Sequence, residues 1–270
     1  MSCIVCSTIF KNEGFLKKSF DNLELLKPLF SHIKIIVCYD NSGDKSLLEL
    51  CDLKKEGWDL EILMNNKPRI QSHIGRAYNI AQARNKILNY IYDNQELCKY
   101  NYFIMADLDD VFNFKIYPQV LNKYLSNVHN LNLWDSLTFY NKGFYDTWSV
   151  SIDDYQESSW LPLEDIDKSW EKQKEIKDYI DGVVNLMDDD LRPVDSLFNA
   201  FCIHKLSKFK DIRYRPCCLL NNEVFIDCEH RSFYKEANKR GLKIMFSKDS
   251  LFEEMKNINK LNFEKKNNEN

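Results

Sequence analysis

The sequence predicts an α/β protein with a mostly parallel central sheet, and the order of its apolar segments leads to this class. Short apolar runs of strand length alternate with amphipathic, helix-like segments through the first 110 residues. Such alternation favours parallel strands joined by helices that cover both faces of the sheet. One strand-like run, residues 102–107, ends in a group of carboxylates. Since ligands bind at the carboxyl ends of parallel strands, this run also marks the candidate site.

Hydrophobic periodicity defines the elements one by one. The turn sequence Asp-Asn-Ser-Gly-Asp at 40–44 closes the second strand. The second half is less regular, and its apolar pieces include residues 194–201 and 223–227. The predicted strands are residues 2–10, 33–39, 60–64, 102–107, 137–140 and 148–152, and the predicted helices are residues 12–26, 46–55, 77–94 and 169–186.

Composition narrows the class of protein. The 270 residues are 44% hydrophobic, enough for a substantial core. A net charge of −4 gives no global field for nucleic acid, so none is expected as a partner. No apolar run approaches the ~18 residues of a membrane span, and the N-terminus lacks the features of a signal peptide. Nine cysteines without secretory features are expected to stay reduced, which predicts a cytoplasmic location.

The carboxylates after the fourth strand predict a metal site. Asp107 and Asp109 stand at i and i+2, so on an extended segment they share a face. Just past a buried strand they can hold a hard divalent cation such as Mn²⁺ or Mg²⁺. With few protein ligands, that cation keeps positions for phosphate oxygens. Asp110 is a spare carboxylate that could orient the other two.

Five motifs in a fixed order resemble one enzyme family. Residues 10–13 (Phe-Lys-Asn-Glu), 39–46 and 76–85 precede Asp107-Leu108-Asp109, and Glu229-His230 leads through a helical segment to Gly-Leu-Lys-Ile at 241–244. Together they resemble glycosyltransferases of the GT-A fold, in which Asp-x-Asp is the metal motif. His230 replaces an aspartate that often serves as the catalytic base in that family. The sequence Cys-Glu-His, with residues 144–148 upstream, most resembles a subgroup that includes fungal capsule α-1,3-mannosyltransferase-like proteins.

The resemblance implies a GT-A-type αβα sandwich that uses a UDP- or GDP-sugar as donor and a glycan or glycoconjugate as acceptor. We expect one domain, residues 1–255, with a nucleotide-binding half (1–110) and an acceptor-binding half (111–255). The Asn- and Lys-rich tail, 256–270, is predicted to be disordered.

Each candidate residue has a predicted role and, in several cases, a structural alternative. His230 is either the base or a metal ligand. The arginines at 76 and 84 suit a diphosphate but could equally form helix-surface salt bridges. Asp40 could bind the base or ribose, or only close a turn, and Trp148 could be core packing instead of a sugar-facing wall. The predicted set is: catalytic His230, Glu229 and, in reserve, Asp195; donor-binding Thr8, Asp40, Arg76, Arg84, Asp107, Asp146 and Trp148; metal-binding Asp107, Asp109 and His230.

Two other functions fit parts of the sequence. Asp107-Leu108-Asp109-Asp110-Val111 also matches the nucleophile motif of haloacid-dehalogenase-like phosphatases, although that motif normally opens its domain. Such a phosphatase would need Lys205 and the triplet 188–190 as further site residues. The other alternative is a glycan- or nucleotide-binding module without catalysis, since ligand-binding residues alone do not prove turnover.

Overall fold

An eight-stranded sheet forms the centre of the computed structural model, which describes residues 1–71, 73–142, 146–152, 166–220 and 223–254. The strands are β1 (Ser2–Ile9), β2 (His32–Asp40), β3 (Leu60–Asn65), β4 (Tyr102–Ala106), β5 (Ser136–Tyr140), β6 (Leu191–Pro193), β7 (Phe201–Lys205), β8 (Cys217–Leu220), β9 (Glu223–Ile226) and β10 (Ile244–Ser250). The helices are α1 (Leu16–Leu26), α2 (Ser46–Lys55), α3 (His73–Tyr92), α4 (Pro118–Leu125), α5 (Val128–Leu131), α6 (Ile166–Asn185) and α7 (Glu229–Lys239).

The sheet is mostly parallel, as predicted. Its order is β3-β2-β1-β4-β7-β5-β10-β6. Strands β1 to β4 run in one direction, and β5 and β10 share it, whereas β7 and β6 are antiparallel to their neighbours. Strands β8 and β9 form a separate antiparallel pair. Because β2 and β4 are both parallel to β1, Asp40 and Asp107 lie at the same edge, as expected. We call it the acidic edge.

Helices cover both faces, which gives an αβα sandwich. Successive residues of a strand point to opposite faces, so Val5 of β1 packs with α1, α2 and α4, while its neighbours Ile4 and Cys6 pack with α3, α6 and α7. These residues are fully buried. The central strands therefore read as continuous apolar runs, which is typical of a parallel sheet covered on both sides. Among the described residues, no helix combines the length and apolar composition that crossing a bilayer requires.

Some predicted boundaries are wrong for identifiable reasons. Helix α1 begins four residues late, at Leu16, since Lys11 adopts a positive φ of 58° and the Asn12 side chain is engaged elsewhere. The strand predicted at 148–152 is a 3₁₀ turn, Thr147–Ser149, followed by one isolated bridge at Ser151. Ser149 folds this segment back, because its N–H donates to the Asp146 carbonyl at 3.2 Å. The predicted tail at 256–270 lies outside the described residues.

Candidate active site

The acidic loop that follows β4 is held by the backbone of Leu108. The Leu108 side chain is fully buried, so its peptide groups face the protein. Its N–H donates to Oγ of Ser7 at 3.3 Å, and its carbonyl accepts from Nδ2 of Asn12 at 2.9 Å. Oδ1 of Asn12 also accepts from the N–H of Phe10, at 2.9 Å. Leu108 is thus fixed to the end of β1, and this holds in place the backbone of its two neighbours in the chain, Asp107 and Asp109.

The carboxylates of this loop are crowded. Asp107, Asp109 and Asp110 are all partly buried, and Oδ1 of Asp109 accepts from the N–H of Val111 at 3.1 Å. Burial raises the pKa of Asp109 well above its usual value, and the charges of Asp107 and Asp110 raise it further. A divalent cation would relieve this repulsion, so the donor set fits a hard metal. In the described part of the chain, no group of three or more His, Cys, Asp or Glu side chains is arranged as a complete metal site.

Arg84 lies buried beneath the acidic loop, with 4% of its side chain exposed. Its Nη2 donates to Oδ1 of Asp107 at 3.0 Å, and its Nη1 donates to Oε1 of Glu229 at 2.5 Å. Opposite charges of Glu229 and Asp107 outweigh burial and raise the pKa of Arg84. Both terminal nitrogens are therefore engaged by protein carboxylates. This geometry favours a bridge between the acidic loop and α7 over the predicted contact with a diphosphate.

His230 lies in an aromatic cage beside Arg84. Its ring stacks on Phe198 with centroids 3.9 Å apart, and Tyr214 meets it edge-on at 5.5 Å. Nη1 of Arg84 also contacts Nε2 of His230, so the imidazole proton belongs on Nδ1. Nδ1 itself has no hydrogen-bond partner among the described residues. Burial, followed by the charge of Arg84, lowers the pKa of His230 well below its usual value. The imidazole is neutral, and metal binding through Nε2 would require Arg84 to move.

Four further predicted residues lie around the same edge. Asp146 begins the 3₁₀ turn, and burial, followed by the charges of Glu229 and Asp107, raises its pKa to about 7. Trp148 is partly buried within that turn, and Thr8 is partly buried one residue before the end of β1. Arg76 is exposed. Burial raises the pKa values of Asp109, Asp146 and Glu229, and the charge of Arg76 offsets a small part of each rise, so the Arg76 guanidinium faces the acidic cluster.

The ends of β2 and β3 contribute a second polar group. Asp40 and Asn65 are register partners, and the amide of Asn65 donates to Oδ1 of Asp40. Oδ2 of Asp40 pairs with the guanidinium of Arg69, which lies 3.5 Å above the ring of Phe10. Asp40 is therefore more than a turn residue, because two donors converge on its carboxylate. Sequence reasoning missed Arg69, Asn65 and Phe10 in this role.

Asp195 lies away from the acidic edge. The N–H of the preceding residue, Val194, donates to the carbonyl of Ile244 at 3.0 Å, at the amino end of β10. Through the strand register, Ile244 is level with Phe103, four residues before Asp107. Asp195 lines a separate pocket of about 610 Å³ along β6. Its position gives no support for the reserve catalytic role.

The residues that a phosphatase would need are also dispersed. Lys205 pairs with Asp135 at 3.4 Å and lies opposite Tyr102, at the amino end of β4. Asp190 pairs with Lys123 at 2.8 Å. Neither lies beside Asp107, and three strands precede β4 in the chain. The geometry therefore does not support the phosphatase alternative.

The fold and the position of the site define the class. The αβα sandwich has a mostly parallel eight-stranded sheet and carries an acidic loop at the carboxyl edge of β4. This is the GT-A architecture found in glycosyltransferases. No known family profile matches the sequence, and no curated protein matches it.

Two solved glycosyltransferases resemble the chain in fold. TarS of S. aureus, residues 1–349, superposes with a TM-score of 0.53 at 13% identity over 93% of this chain and 59% of that one, and a complex with UDP gives the same values. The mannosyltransferase PcManGT of Pyrobaculum calidifontis, in complex with GDP-Man and Mn²⁺, gives a TM-score of 0.50 at 9% identity over 90% of this chain and 53% of that one. The chain thus spans less than two thirds of these neighbours, and the likeness at such low identity establishes the fold.

Proposed function

We propose that the protein is a metal-dependent glycosyltransferase that moves a sugar from a nucleoside-diphosphate sugar to a glycan or another hydroxyl acceptor. The observation that carries this proposal is the acidic loop at the carboxyl edge of a GT-A sandwich, level with the polar group around Asp40. Structural neighbours with UDP or with GDP-Man and Mn²⁺ support it.

Asp107 and Asp109 are the proposed ligands of a divalent cation. Burial and crowding disfavour ionisation of Asp109 without a counter-charge, and hard cations prefer carboxylate oxygens. When bound, the cation supplies charge neutralisation for the diphosphate leaving group. The chain itself contributes Arg76, whose exposed guanidinium faces the same carboxylates and suits phosphate geometry. Asp110 remains a proposed orienting carboxylate.

Arg84, Glu229 and His230 form the proposed floor of the site. Arg84 holds Asp107 at 3.0 Å and Glu229 at 2.5 Å, so it fixes the acidic loop relative to the first turn of α7. The neutral imidazole of His230 packs against the same guanidinium. In this arrangement Glu229, Asp107 and His230 together position the guanidinium of Arg84.

Asp146 is the proposed general base. A carboxyl with a pKa of about 7 suits proton transfer near neutral pH. Its backbone is fixed, because both the N–H and Oγ of Ser149 donate to its carbonyl, at 3.2 and 2.9 Å. Asp146 as a whole residue is only partly buried, and it lies at the acidic edge where the donor is proposed to bind. Trp148 would then contribute to the sugar-facing wall.

The finer resemblance to fungal capsule α-1,3-mannosyltransferase-like proteins rests on the motifs alone. Of the upstream motif, Phe144 and Tyr145 lie outside the described residues, and no curated protein of that group matches the sequence. We therefore base no choice of donor sugar on it.

A thermal-shift screen tests the proposal. The protein is heated with nucleoside diphosphates and their sugars, with and without Mn²⁺. A ligand at 100 times its dissociation constant adds about 2.7 kcal/mol to the stability of the folded state. Sugar hydrolysis or transfer is then measured with every donor that binds. Binding without turnover on any acceptor would favour the non-catalytic module, and hydrolysis of simple phosphate esters would favour the phosphatase.

The His230→Ala variant separates the roles considered for this residue. Joint loss of Mn²⁺ and nucleotide binding would assign His230 to the metal. A rate that falls by ~10²–10⁴-fold with binding intact would make it the base. We expect instead reduced stability and a weakened hold of Arg84 on the acidic loop.

A further inference from the structure

Basic residues are concentrated in two segments of the chain. Residues 62–92, which comprise most of β3, the loop after it and α3, carry five basic side chains and no acidic one, although the net charge of the whole protein is −4. Residues 205–216 carry five more, against one aspartate. The two segments touch, because the side-chain amide of Asn85 donates to the carbonyl of Tyr214 and accepts from its N–H, both at 2.8 Å. They therefore form one surface with an excess of positive charge.

The outer side of α3 forms the middle of this surface. Its exposed and partly exposed residues recur at intervals of three or four, and they are Tyr78, Gln82, Lys86 and Asn89. At 1.5 Å per residue this stripe is about 16 Å long. Nζ of Lys67, in the loop after β3, donates to Oε1 of Gln82 at 3.4 Å, and Nε of Arg213, in the loop after β7, donates to Oδ1 of Asn89 at 2.8 Å. The helix thus holds basic side chains from both loops beside its own stripe.

Four cations of this surface can meet a partner, and they are Lys67, Lys86, Arg213 and Arg215. Arg213 is partly exposed and the other three are exposed. In the part of the chain that the structure describes, none of the four forms an ion pair with a carboxylate; their side-chain hydrogen bonds go to amide and carbonyl oxygens. Arg69 and Arg84, by contrast, are held by carboxylates of the acidic edge. We call the surface formed by residues 64–70, the stripe of α3 and residues 213–215 the cationic face.

Large apolar side chains are exposed on the same face. Met64, Ile70 and Tyr78 are 38%, 47% and 41% exposed, and Met64 lies one residue before the end of β3, close to the acidic edge. Ile70 is fixed to α3, because the side chain of Asn79 accepts from its N–H at 3.2 Å and donates to its carbonyl at 3.1 Å. Exposed apolar side chains beside unpaired cations are the two components with which a protein surface binds an anionic membrane.

We propose that the cationic face docks the protein on a membrane surface that contains anionic lipid. The charges are complementary, since Lys and Arg are attracted to lipid phosphate and carboxylate groups. Ile70 and Met64 can insert between the headgroups, and a Tyr such as Tyr78 is suited to the boundary between lipid and water. A hydrated polyanion such as nucleic acid would meet the cations but would leave these apolar side chains in water. The proposal goes beyond the proposed function and does not depend on it.

The test is sedimentation of the full chain with vesicles of phosphatidylcholine alone or mixed with phosphatidylserine, without donor or metal. We expect binding to the anionic vesicles to be at least ~10-fold tighter, because each cation near such a surface contributes to attraction. Raised salt should release the protein, since it screens exposed charges. Absence of binding, or equal binding to both kinds of vesicle, would overturn the proposal. Tighter binding to duplex DNA than to the anionic vesicles, at equal phosphate concentration, would assign the face to a polyanion and also overturn it.

Charge reversal tests the place of binding. Lys67→Glu combined with Lys86→Glu should weaken binding to the anionic vesicles at least ~10-fold. The matched control combines Lys18→Glu with Lys54→Glu, two exposed positions on α1 and α2 in the opposite helical layer. It changes the net charge of the protein by the same amount and should bind as the wild type does. Similar losses in the two double variants would show that net charge, and not the cationic face, determines binding, which would contradict the proposal.

A second pair of variants tests the apolar contribution. Ile70→Asp should weaken vesicle binding at least ~10-fold, because it removes an inserted side chain and adds a negative charge. Leu48→Asp is the control, since Leu48 is 57% exposed on α2 and lies outside the cationic face. Equal binding by the two variants would exclude insertion of Ile70 and contradict docking on lipid. If a variant does not fold, the comparison of vesicles with the wild-type protein decides the proposal.

Discussion

Nη1 of Arg84 donates a hydrogen bond to Oε1 of Glu229 at 2.5 Å, although the two residues are 145 positions apart in the chain. Both side chains are buried, at 4% and 5% exposure. The same guanidinium holds Asp107. The guanidinium of Arg84 therefore connects the acidic loop after β4 to the first turn of α7.

Removing the charge of Arg84 should strongly destabilise the protein. Arg84→Met leaves the Glu229 carboxylate buried without its partner, which costs about 3–5 kcal/mol. Urea unfolding measures the change, and a second substitution, Glu229→Gln, should recover part of it. The control is Lys99→Met, which breaks an exposed pair with Glu96 and should cost at most about 0.5 kcal/mol. Similar losses in the two variants would show that the buried bridge is unimportant.

Asp109→Asn should abolish the stabilisation of the folded protein by Mn²⁺. Burial raises the pKa of Asp109 in the folded protein, so stability falls as pH rises from the unfolded-state pKa to the folded-state pKa and levels off above it. Without Mn²⁺ the variant should therefore melt at a higher temperature near neutral pH. Mn²⁺ at 100 times its wild-type dissociation constant should add about 2.7 kcal/mol to the wild type and nothing to the variant, and sugar transfer should be lost.

The control for this variant is Asp189→Asn in the other acidic triplet. Asp189 is exposed, and its loss should change neither the metal response nor turnover. Normal transfer by well-folded Asp109→Asn would remove Asp109 from the site.

Asn12 should matter more for the site than for the fold. Asn12→Ala removes the bond to the Leu108 carbonyl and frees the acidic loop, at a cost of about 1–3 kcal/mol. We expect Mn²⁺-dependent nucleotide binding to weaken at least ~10-fold, because the hydrogen bond that orders the acidic loop is lost. Asn22→Ala is a matched control, because Asn22 is also buried and donates to two backbone carbonyls, at 2.6 and 2.9 Å, without touching Leu108. Equal affinity losses would contradict a specific role for Asn12.

Asp146 predicts a pH dependence of the rate. Its pKa is raised to about 7, so the carboxylate form that can accept a proton becomes populated as pH rises through neutrality. We expect kcat/KM for transfer to rise with pH and to level off above about 8. In Asp146→Asn this rise of kcat/KM with pH should disappear, and the rate should fall by ~10²–10⁴-fold. If kcat/KM of the variant still rises with pH, Asp146 is not the group that causes the rise.

His204 predicts sensitivity to acid. Both ring nitrogens are buried without hydrogen-bond partners among the described residues, and burial lowers the pKa to about 3 from 6.5. The unfolded chain therefore binds a proton that the folded protein rejects, so stability is full above pH 6.5 and falls by up to about 1.4 kcal/mol per pH unit towards pH 3. His204→Phe, stacked on Phe103 as the histidine is, should reduce this slope in urea unfolding. His129→Phe, at an exposed position, should leave it unchanged.

The placement of the strand ends could be predicted from the sequence, because two local rules suffice for it. Apolar runs of strand length alternate with helices, and parallel strands end at one edge, so Asp40 and Asp107 are expected at the same edge. The burial of Arg84 was also readable in part. It stands four residues before Leu88, on the apolar side of α3, although its partner Glu229 could be found only from the tertiary structure.

The rest depended on contacts without a sequence signal. Arg69 lies in a loop, and nothing in its neighbours indicates that it folds back onto Phe10 and Asp40. Trp148–Ile152 was wrongly predicted as a strand because its apolar residues resemble one, whereas hydrogen bonds from Ser149 decide the turn. Side-chain to backbone bonds of this kind override propensity locally.

The place of β7 in the sheet has a consequence for how the chain is assembled. Strands β1 to β4 can pair as soon as residue 106 has been synthesised, but β5, β10 and β6 join them only through β7, which pairs with β4 on one side and β5 on the other. Residues 136–140 must therefore wait for residues 201–205 before they reach the sheet. During synthesis, the half that carries Asp40 and Asp107 would be ordered first. The half that supplies Glu229 and His230 would be added to it afterwards.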